Sequence, residues 1–351
     1  MLILVFARPN APTAIRLLKP LEIYTARKGE SQVYSLPSIP PDEVTMGGCS
    51  HFVVRGKADP FVLTWIERYK RAGGTAKFVL DNDDLLWGDN VPEWNQTHVS
   101  FNRQPEYVQM GERDWFRIMD AYTFSTPFLR DYALNEMGNE IGTKPVHLLP
   151  NSLSKSNFYG LPNNVSTDIR KPRVLYSGSN THYNNETKMY GDWTEEVAAW
   201  VIEAVRNGEI EFHCMGGLPW FLEPVKDKIK VYPFVHYSLF PALLRSIKPH
   251  FSLNPLADHD FNRAKSDLKL VEAAAMNCVC VGTDFPGSPY KDCIVKLKPD
   301  MSRAQIDETI REFKDKGLFN VSLRTQRAWM DDNGRWMESQ AWMDRMNKAY
   351  A

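Results

Sequence analysis

Three carboxylates stand within four positions of this chain, Asp81, Asp83 and Asp84, directly after the apolar run Phe78-Val79-Leu80. That pattern puts them at the carboxyl end of a short buried strand, where open α/β sheets bind their ligands. Like charges so close repel one another, so burying them requires a ligand, a cation or a proton to offset the cost. A carboxylate in such a place can orient a hydroxyl group or take its proton. Capping of the following turn accounts for one of the three, not for all.

A second group lies in residues 261–286, FNRAKSDLKLVEAAAMNCVCVGTDFP. Leu268, Val271, Ala274 and Ala275 fall on one face of a helix, with Ser266 or Asp267 as its cap and Asn277 as its stop. Arg263, Lys265 and Ser266 stand at its N-terminal mouth. Free backbone amides and the positive end of the helix dipole favour an anion there, phosphate above all, and the basic side chains add to it. Glu272 lies inside the helix, where a carboxylate can accept hydrogen bonds from ribose hydroxyls. An amphipathic helix with ordinary surface lysines is the plainer alternative. A third group is the loop SGSNTHYNN, residues 177–185. Gly178 permits close backbone approach, and Ser179 and its polar neighbours suit a phosphate or sugar cradle. His182 is either a cleft histidine or simply solvent-facing.

The elements that must position these groups alternate between strand and helix. In the first half, strands are expected over 2–6, 51–54, 78–80, 121–125 and 146–150, and helices over 13–24, 59–72, 111–119 and 127–137. The first loop, ARPNAPT, lacks the G-x-G-x-x-G fingerprint, so a dinucleotide cofactor is not indicated. Residues 88–111 are polar with scattered aromatics, among them Trp94, Phe101 and Tyr107, and read as a long loop over a cleft. In the second half, strands are expected over 173–176, 211–215, 231–234, 250–254, 279–281 and 293–297. Intervening helices complete a parallel sheet covered on both faces. The tail holds Trp329, Trp336 and Trp342 at near-heptad spacing, which favours core packing over a nucleic-acid surface. Four segments result: residues 1–152, a linker 153–172, residues 173–320, and terminal helices 321–351 packing on the first domain.

Composition sets bounds. The 351 residues suffice for two domains with substantial cores. A hydrophobic share of 43% with 24% charged residues is that of a globular protein. The net charge of −1 excludes a whole-molecule field drawing nucleic acid. Five cysteines without metal or disulfide spacing fit a reducing compartment. The opening MLILVFARPNAP reads as a strand, not a signal peptide, and no run approaches a membrane span. A cytoplasmic location is expected.

The stretch 261–286 resembles the nucleotide-sugar site of retaining glycosyltransferases of the B fold (GT-B), whose second domain carries a Glu-x7-Glu helix followed by a small apolar strand. Glu272 matches the second glutamate; the first would fall at Ala264 and is absent. One subgroup instead reads FNR-x-KS-x-x-K-x-x-E, matched at Phe261, Asn262, Arg263, Lys265, Ser266, Lys269 and Glu272, together with D-x-D-D-L-x-W, matched at Asp81, Asp83, Asp84, Leu85 and Trp87. The resemblance implies an α/β protein of two Rossmann-like domains with a cleft between them and a C-terminal helix crossing back. It implies hexosyl or pentosyl transfer from a nucleotide-diphosphate sugar, such as a UDP-sugar, to an acceptor hydroxyl. Donor contacts would come from Arg8, Gly178, Ser179, His182, Phe234, Arg263, Lys265, Ser266, Lys269 and Glu272, with Asn10 and Arg16 as further candidates at the cleft. Phe234 would lie near the base, Arg263 and Lys265 would neutralise the diphosphate, and Glu272 would hold the ribose. Asp81, Asp83 and Asp84 would serve the acceptor, with no obligatory metal or cofactor. The acceptor would be a hydroxymethylated pyrimidine in DNA, as for phage enzymes of this type, or a glycan or small molecule. Two alternatives stand beside it: an A-fold-like transferase holding a metal on Asp81 and Asp83, and a non-catalytic nucleotide-sugar-binding protein.

Overall fold

Most strands of this protein are short apolar runs buried on both faces, the pattern a parallel sheet needs when helices cover either side. The computed structural model describes residues 2–7, 13–28, 33–36, 48–56, 59–87, 90–98, 106–158, 169–314 and 316–350. In the first half, β1 (Leu2–Phe6) is followed by a π-helical turn, Ala14–Leu18, that runs into α1 (Lys19–Arg27). Then come β2 (Val33–Leu36), β3 (Cys49–Arg55), α2 (Pro60–Arg71), β4 (Lys77–Asn82) and α3 (Glu106–Ile118). The half closes with β5 (Ala121–Phe124), α4 (Pro127–Glu136), α5 (Gly138–Ile141) and β6 (Val146–Leu148). Strand order is β2-β1-β3-β4-β5-β6, all parallel.

The second half comprises α6 (Lys155–Phe158), β7 (Arg173–Ser177), α7 (Glu195–Arg206), β8 (Glu211–Met215) and β9 (Lys230–Tyr232). It continues with α8 (Phe240–Ile247), β10 (Phe251–Asn254), α9 (Asp260–Arg263), α10 (Leu268–Ala275), β11 (Val279–Thr283), β12 (Val295–Leu297) and α11 (Arg303–Glu312). Its order, β12-β11-β10-β7-β8-β9, is that of a Rossmann sheet, reversing direction between β7 and β10. Helix starts are set by local chemistry: Asp59 accepts from the amides of Phe61 and Val62, and Thr194 from that of Val197. Two such sheets bear out the expected α/β architecture of two Rossmann-like domains, and they leave the A-fold alternative without its scaffold.

Three details differ from the sequence reading. The edge strand β2 was not anticipated. The motif helix α10 starts just beyond Asp267, as expected, but a separate short helix, α9, precedes it and the Asp267 side chain makes no cap. It pairs instead with Arg335. The tail divides its allegiance. The helix α12 (Lys316–Asp332) stays on the second sheet, where Gln326 bonds both the carbonyl of Cys278 and the amide of Cys280. Only α13 (Gln340–Tyr350) crosses back, burying Trp342, Met346 and Tyr350 against β1, β3 and β4. Terminal packing on the first domain therefore begins near 340, not 321. The crossing is fastened where Leu153 exchanges backbone hydrogen bonds with Arg335 and Met337. From the other side, Phe261 and Ala264 of the second half are buried in the first half's core. All five cysteines are buried, and burial pushes the Cys49 thiol up to about 11.

Candidate functional site

The cleft between the sheets, about 330 Å³, opens at the carboxyl ends of the strands. Its first wall is the end of β4 and the loop after it. Asp83 and Asp84 line the cleft, but Asp81 does not. Asp81 is wholly buried behind the wall, gripped by the Arg16 guanidinium and accepting a 2.6 Å hydrogen bond from Thr123. Arg16, itself buried, also donates to the Leu149 carbonyl and, at 3.2 Å, to Asn151 Oδ1. Asp81 thus has its charge balanced and its oxygens occupied, and it serves the frame of the wall. Of the three sequence candidates for acceptor chemistry, it is the one that does not reach the cleft. Asp83 takes two contacts, 2.6 and 2.7 Å, from Nη2 of Arg55. Asp84 has no cation in direct contact. Burial and then the neighbouring Asp83 hold its carboxyl above the usual range, with Lys265, Arg55 and His182 pulling the other way.

The second wall is built by the mouth of α10 and the ends of β7 and β8. Lys265, Ser266, Lys269 and Glu272 all face the cleft. Lys265 Nζ lies 4.6 Å from the centroid of the Phe261 ring. Lys269 bonds Glu272 at 2.9 Å and reaches toward Ser177 Oγ at 3.5 Å. Glu272, one turn further along, is 4% exposed. Phe234 stands on the rim, 67% exposed, a free aromatic face. Beneath it is Gly216, at φ +100°, where a Cβ would come within 2.5 Å of the Gly178 carbonyl oxygen and 2.7 Å of the Phe234 ring. Only glycine fits that floor. His182 also faces the cleft, with Nδ1 2.7 Å from Asp192 Oδ2.

Several expected donor contacts lie elsewhere. Arg263 is outside the cleft, its guanidinium held by Asp258, Asp260 and the Pro286 carbonyl. It braces the α9 turn with three of its five N–H donors. Gly178 does not line the cleft, and its amide donates to the Met215 carbonyl at 3.1 Å. Ser179 shares a 2.6 Å hydrogen bond with Thr181. Ser177, the residue before them, occupies the wall instead. Arg8 and Asn10 lie outside the described residues, as do Phe101 and Pro105. Of the 88–111 stretch, Trp94 reaches across to the second half, its ring 5.6 Å from that of His259. No three described His, Cys, Asp or Glu side chains cluster as ligands for one metal ion.

Sequence reasoning missed Arg55, Asp192 and Tyr290 at or behind the walls. Arg55 was findable in principle, because it ends β3 directly opposite Asp81 in the sheet register. Asp192 carried no signal, lying in a loop between elements with no motif around it.

No family profile and no curated protein sequence matches this chain. Solved structures do match in shape. The structure of UDP-glucose:anthocyanidin 3-O-glucosyltransferase in complex with UDP superposes with a TM-score of 0.51 at 9% identity, covering 99% of this chain and 97% of that one. An α,α-trehalose-phosphate synthase from Burkholderia xenovorans gives 0.45 at 12% identity over 82% and 73%. The wall teichoic acid polymerase TagF gives 0.48 at 7% over 98% and 87%. These neighbours are GT-B glycosyltransferases, and the first of them shows the fold of this chain to be theirs.

Proposed function

We propose that this protein is a glycosyltransferase that moves a sugar from a nucleotide-diphosphate sugar to an acceptor hydroxyl. The observation that carries the reading is the meeting, across one cleft, of two unlike walls. One offers Lys265, Lys269, Ser266 and Glu272 at a helix mouth; the other offers the cation-free carboxyl of Asp84. The first suits a diphosphate and its ribose, because ammonium groups and helix amides balance the charge that develops as the nucleotide leaves. Lys265 keeps the part given to it with Arg263, and Lys269 takes the place of Arg263. The exposed face of Phe234 suits a nucleobase. The wall at the end of β4 suits the acceptor, whose hydroxyl Asp84 orients and relieves of its proton. With Asp83 committed to Arg55 and Asp81 to Arg16, the diphosphate is held by side-chain cations without an obligatory metal. The anthocyanidin enzyme of the same fold uses a UDP-sugar, which makes UDP the first nucleotide to try.

For the acceptor we propose a hydroxymethylated pyrimidine in DNA, with a glycan or small molecule as the other candidate. The test is direct. UDP-, GDP- and ADP-sugars are screened by thermal shift, and the stabilising donor is then assayed for transfer to hydroxymethylcytosine-bearing DNA and to simple glycans. A donor that binds but is never consumed, with any acceptor or with water, would leave a nucleotide-sugar-binding protein in place of an enzyme.

A further inference from the structure

His182 is the one histidine among the residues facing the cleft, and the groups behind it are arranged to hold it in a single state. Its Nδ1 lies 2.7 Å from Oδ2 of Asp192, a side chain 1% exposed. A carboxylate oxygen can only accept, so the imidazole keeps its proton on Nδ1 and leaves Nε2 with a free lone pair. The other oxygen, Asp192 Oδ1, is fixed in turn. It accepts from Asn262 Nδ2 at 2.5 Å and from the Ala257 amide at 3.3 Å. Asn262 is fully buried, and its remaining amide hydrogen goes to the Ala257 carbonyl at 3.0 Å. The base of the His182 loop is closed by Asp192's own amide, which donates to the His182 carbonyl at 2.8 Å.

From this chain of contacts we infer that Asp192 and Asn262 are positioning residues. They lock His182 in the Nδ1-protonated tautomer and present Nε2 to the cleft as an acceptor for a substrate hydroxyl. The inference deepens the proposed function and rests on it for the substrate, although the tautomer itself does not. It gives a reason for the asparagine of the FNR run, which the phosphate reading of that motif left without a role. Asp192 carries no fixed cation in contact: its partners are an imidazole, a carboxamide and a backbone amide. Any charge gained at Nε2 during reaction would be met by that carboxylate. The hydroxyl belongs either to the transferred sugar or to the acceptor, and the two sources are separable.

The experiment begins with the wild-type protein free of ligand. Histidine labelled with ¹⁵N reports the tautomer, with the His182 signals assigned by their loss in His182→Gln. The expected pattern is protonated Nδ1 and bare Nε2. In Asp192→Asn, whose amide can donate back to Nδ1, the pattern should invert or become mixed while the melting curve stays cooperative. UDP and UDP-glucose then serve as probes. Unchanged UDP affinity with UDP-glucose weakened about tenfold, the scale of one lost hydrogen bond, places the hydroxyl on the sugar. Unchanged affinity for both, with UDP-glucose hydrolysis reduced about tenfold or more, places it on the acceptor side. Should Asp192→Asn not fold, Asn262→Ser gives the same readouts through the next link. A wild-type His182 protonated on Nε2 overturns the inference, as does an inverted tautomer with binding and hydrolysis both unchanged. A correct tautomer in a protein that binds no nucleotide sugar would leave the lock standing and sink the proposed function instead.

Discussion

Asn151 donates its side-chain amide to Ser266 Oγ at 2.6 Å, across the line between the two sheets. Its Oδ1 accepts from Arg16, the partner of Asp81, and its backbone carbonyl accepts from Arg335, the partner of Asp267. One residue at the end of the first half is therefore joined to the frame of the β4 wall, to the mouth of α10 and to the crossing tail. The two walls are held in register by these bonds, which is what a two-substrate cleft requires, since small misplacements of reacting groups cost large factors in rate.

The proposed anion site separates two cations that the motif places side by side. Lys265 faces the cleft, whereas Arg263 is spent on Asp258 and Asp260. Lys265→Ala should weaken nucleotide-diphosphate binding by about 1.5–3 kcal/mol, the range for a charge-assisted bond. Arg263→Ala should leave that affinity nearly unchanged and lower the melting temperature instead. Calorimetric titration of both variants decides the matter, and equal losses of affinity would return Arg263 to the donor site.

Asp81 makes the opposite prediction to a catalytic carboxylate. Removing one partner of a buried ion pair strands the other, at a cost of about 3–5 kcal/mol. Asp81→Ala should therefore be strongly destabilised in urea, and Arg16→Met combined with Asp81→Leu should recover much of the loss. A stable Asp81→Ala that has lost only turnover would contradict the structural role.

Glu272→Gln keeps the shape of the side chain and removes its charge, so the ion pair with Lys269 is lost while the fold persists. If Glu272 holds the ribose, the dissociation constant for UDP should rise about tenfold, one hydrogen bond's worth. UDP and free uracil titrated in parallel make the check, because a ribose contact is felt by the first alone. An unchanged UDP affinity would remove Glu272 from the donor site.

How much of this was legible in the sequence depends on whether a residue's partner is near it in the chain. The parallel sheet of the second half follows from regular alternation of apolar runs and helical periods, and Lys269 and Glu272 share one cleft wall because they lie three apart on α10. Asp81 could not be told from Asp83 and Asp84 that way. Its separation from them comes from a partner 65 positions earlier. Arg263 was misplaced because the chain bends between α9 and α10, which turns its side chain away from those that follow. The tail was misdivided because α12 and α13 share one amphipathic pattern, and only the backbone bonds at Leu153 show where it changes partners.

Asp84 offers the sharpest test, because stability and chemistry make separate demands on it. Burial and the charge of Asp83 raise its carboxyl above the usual range. In the unfolded chain the same group titrates near about 3.9. A group whose pKa is higher folded than unfolded contributes stability that is fully present below the unfolded value and is lost as pH rises through the folded one. Asp84→Asn removes that penalty. The variant should match the parent below about pH 3.9, pull ahead as pH climbs through the raised value, and keep its lead at neutral pH. Urea denaturation of both proteins at several pH values measures the gap. A gap independent of pH would mean that the surroundings of Asp84 do not raise its carboxyl. Turnover supplies the second demand. If Asp84 takes the acceptor proton, Asp84→Asn should bind UDP-glucose within about twofold of the parent yet lose about 10²-fold or more of its rate, the scale of a lost general base. A variant that gains stability and keeps its rate would clear Asp84 of catalysis, and the search for the acceptor's base would pass to His182 across the cleft.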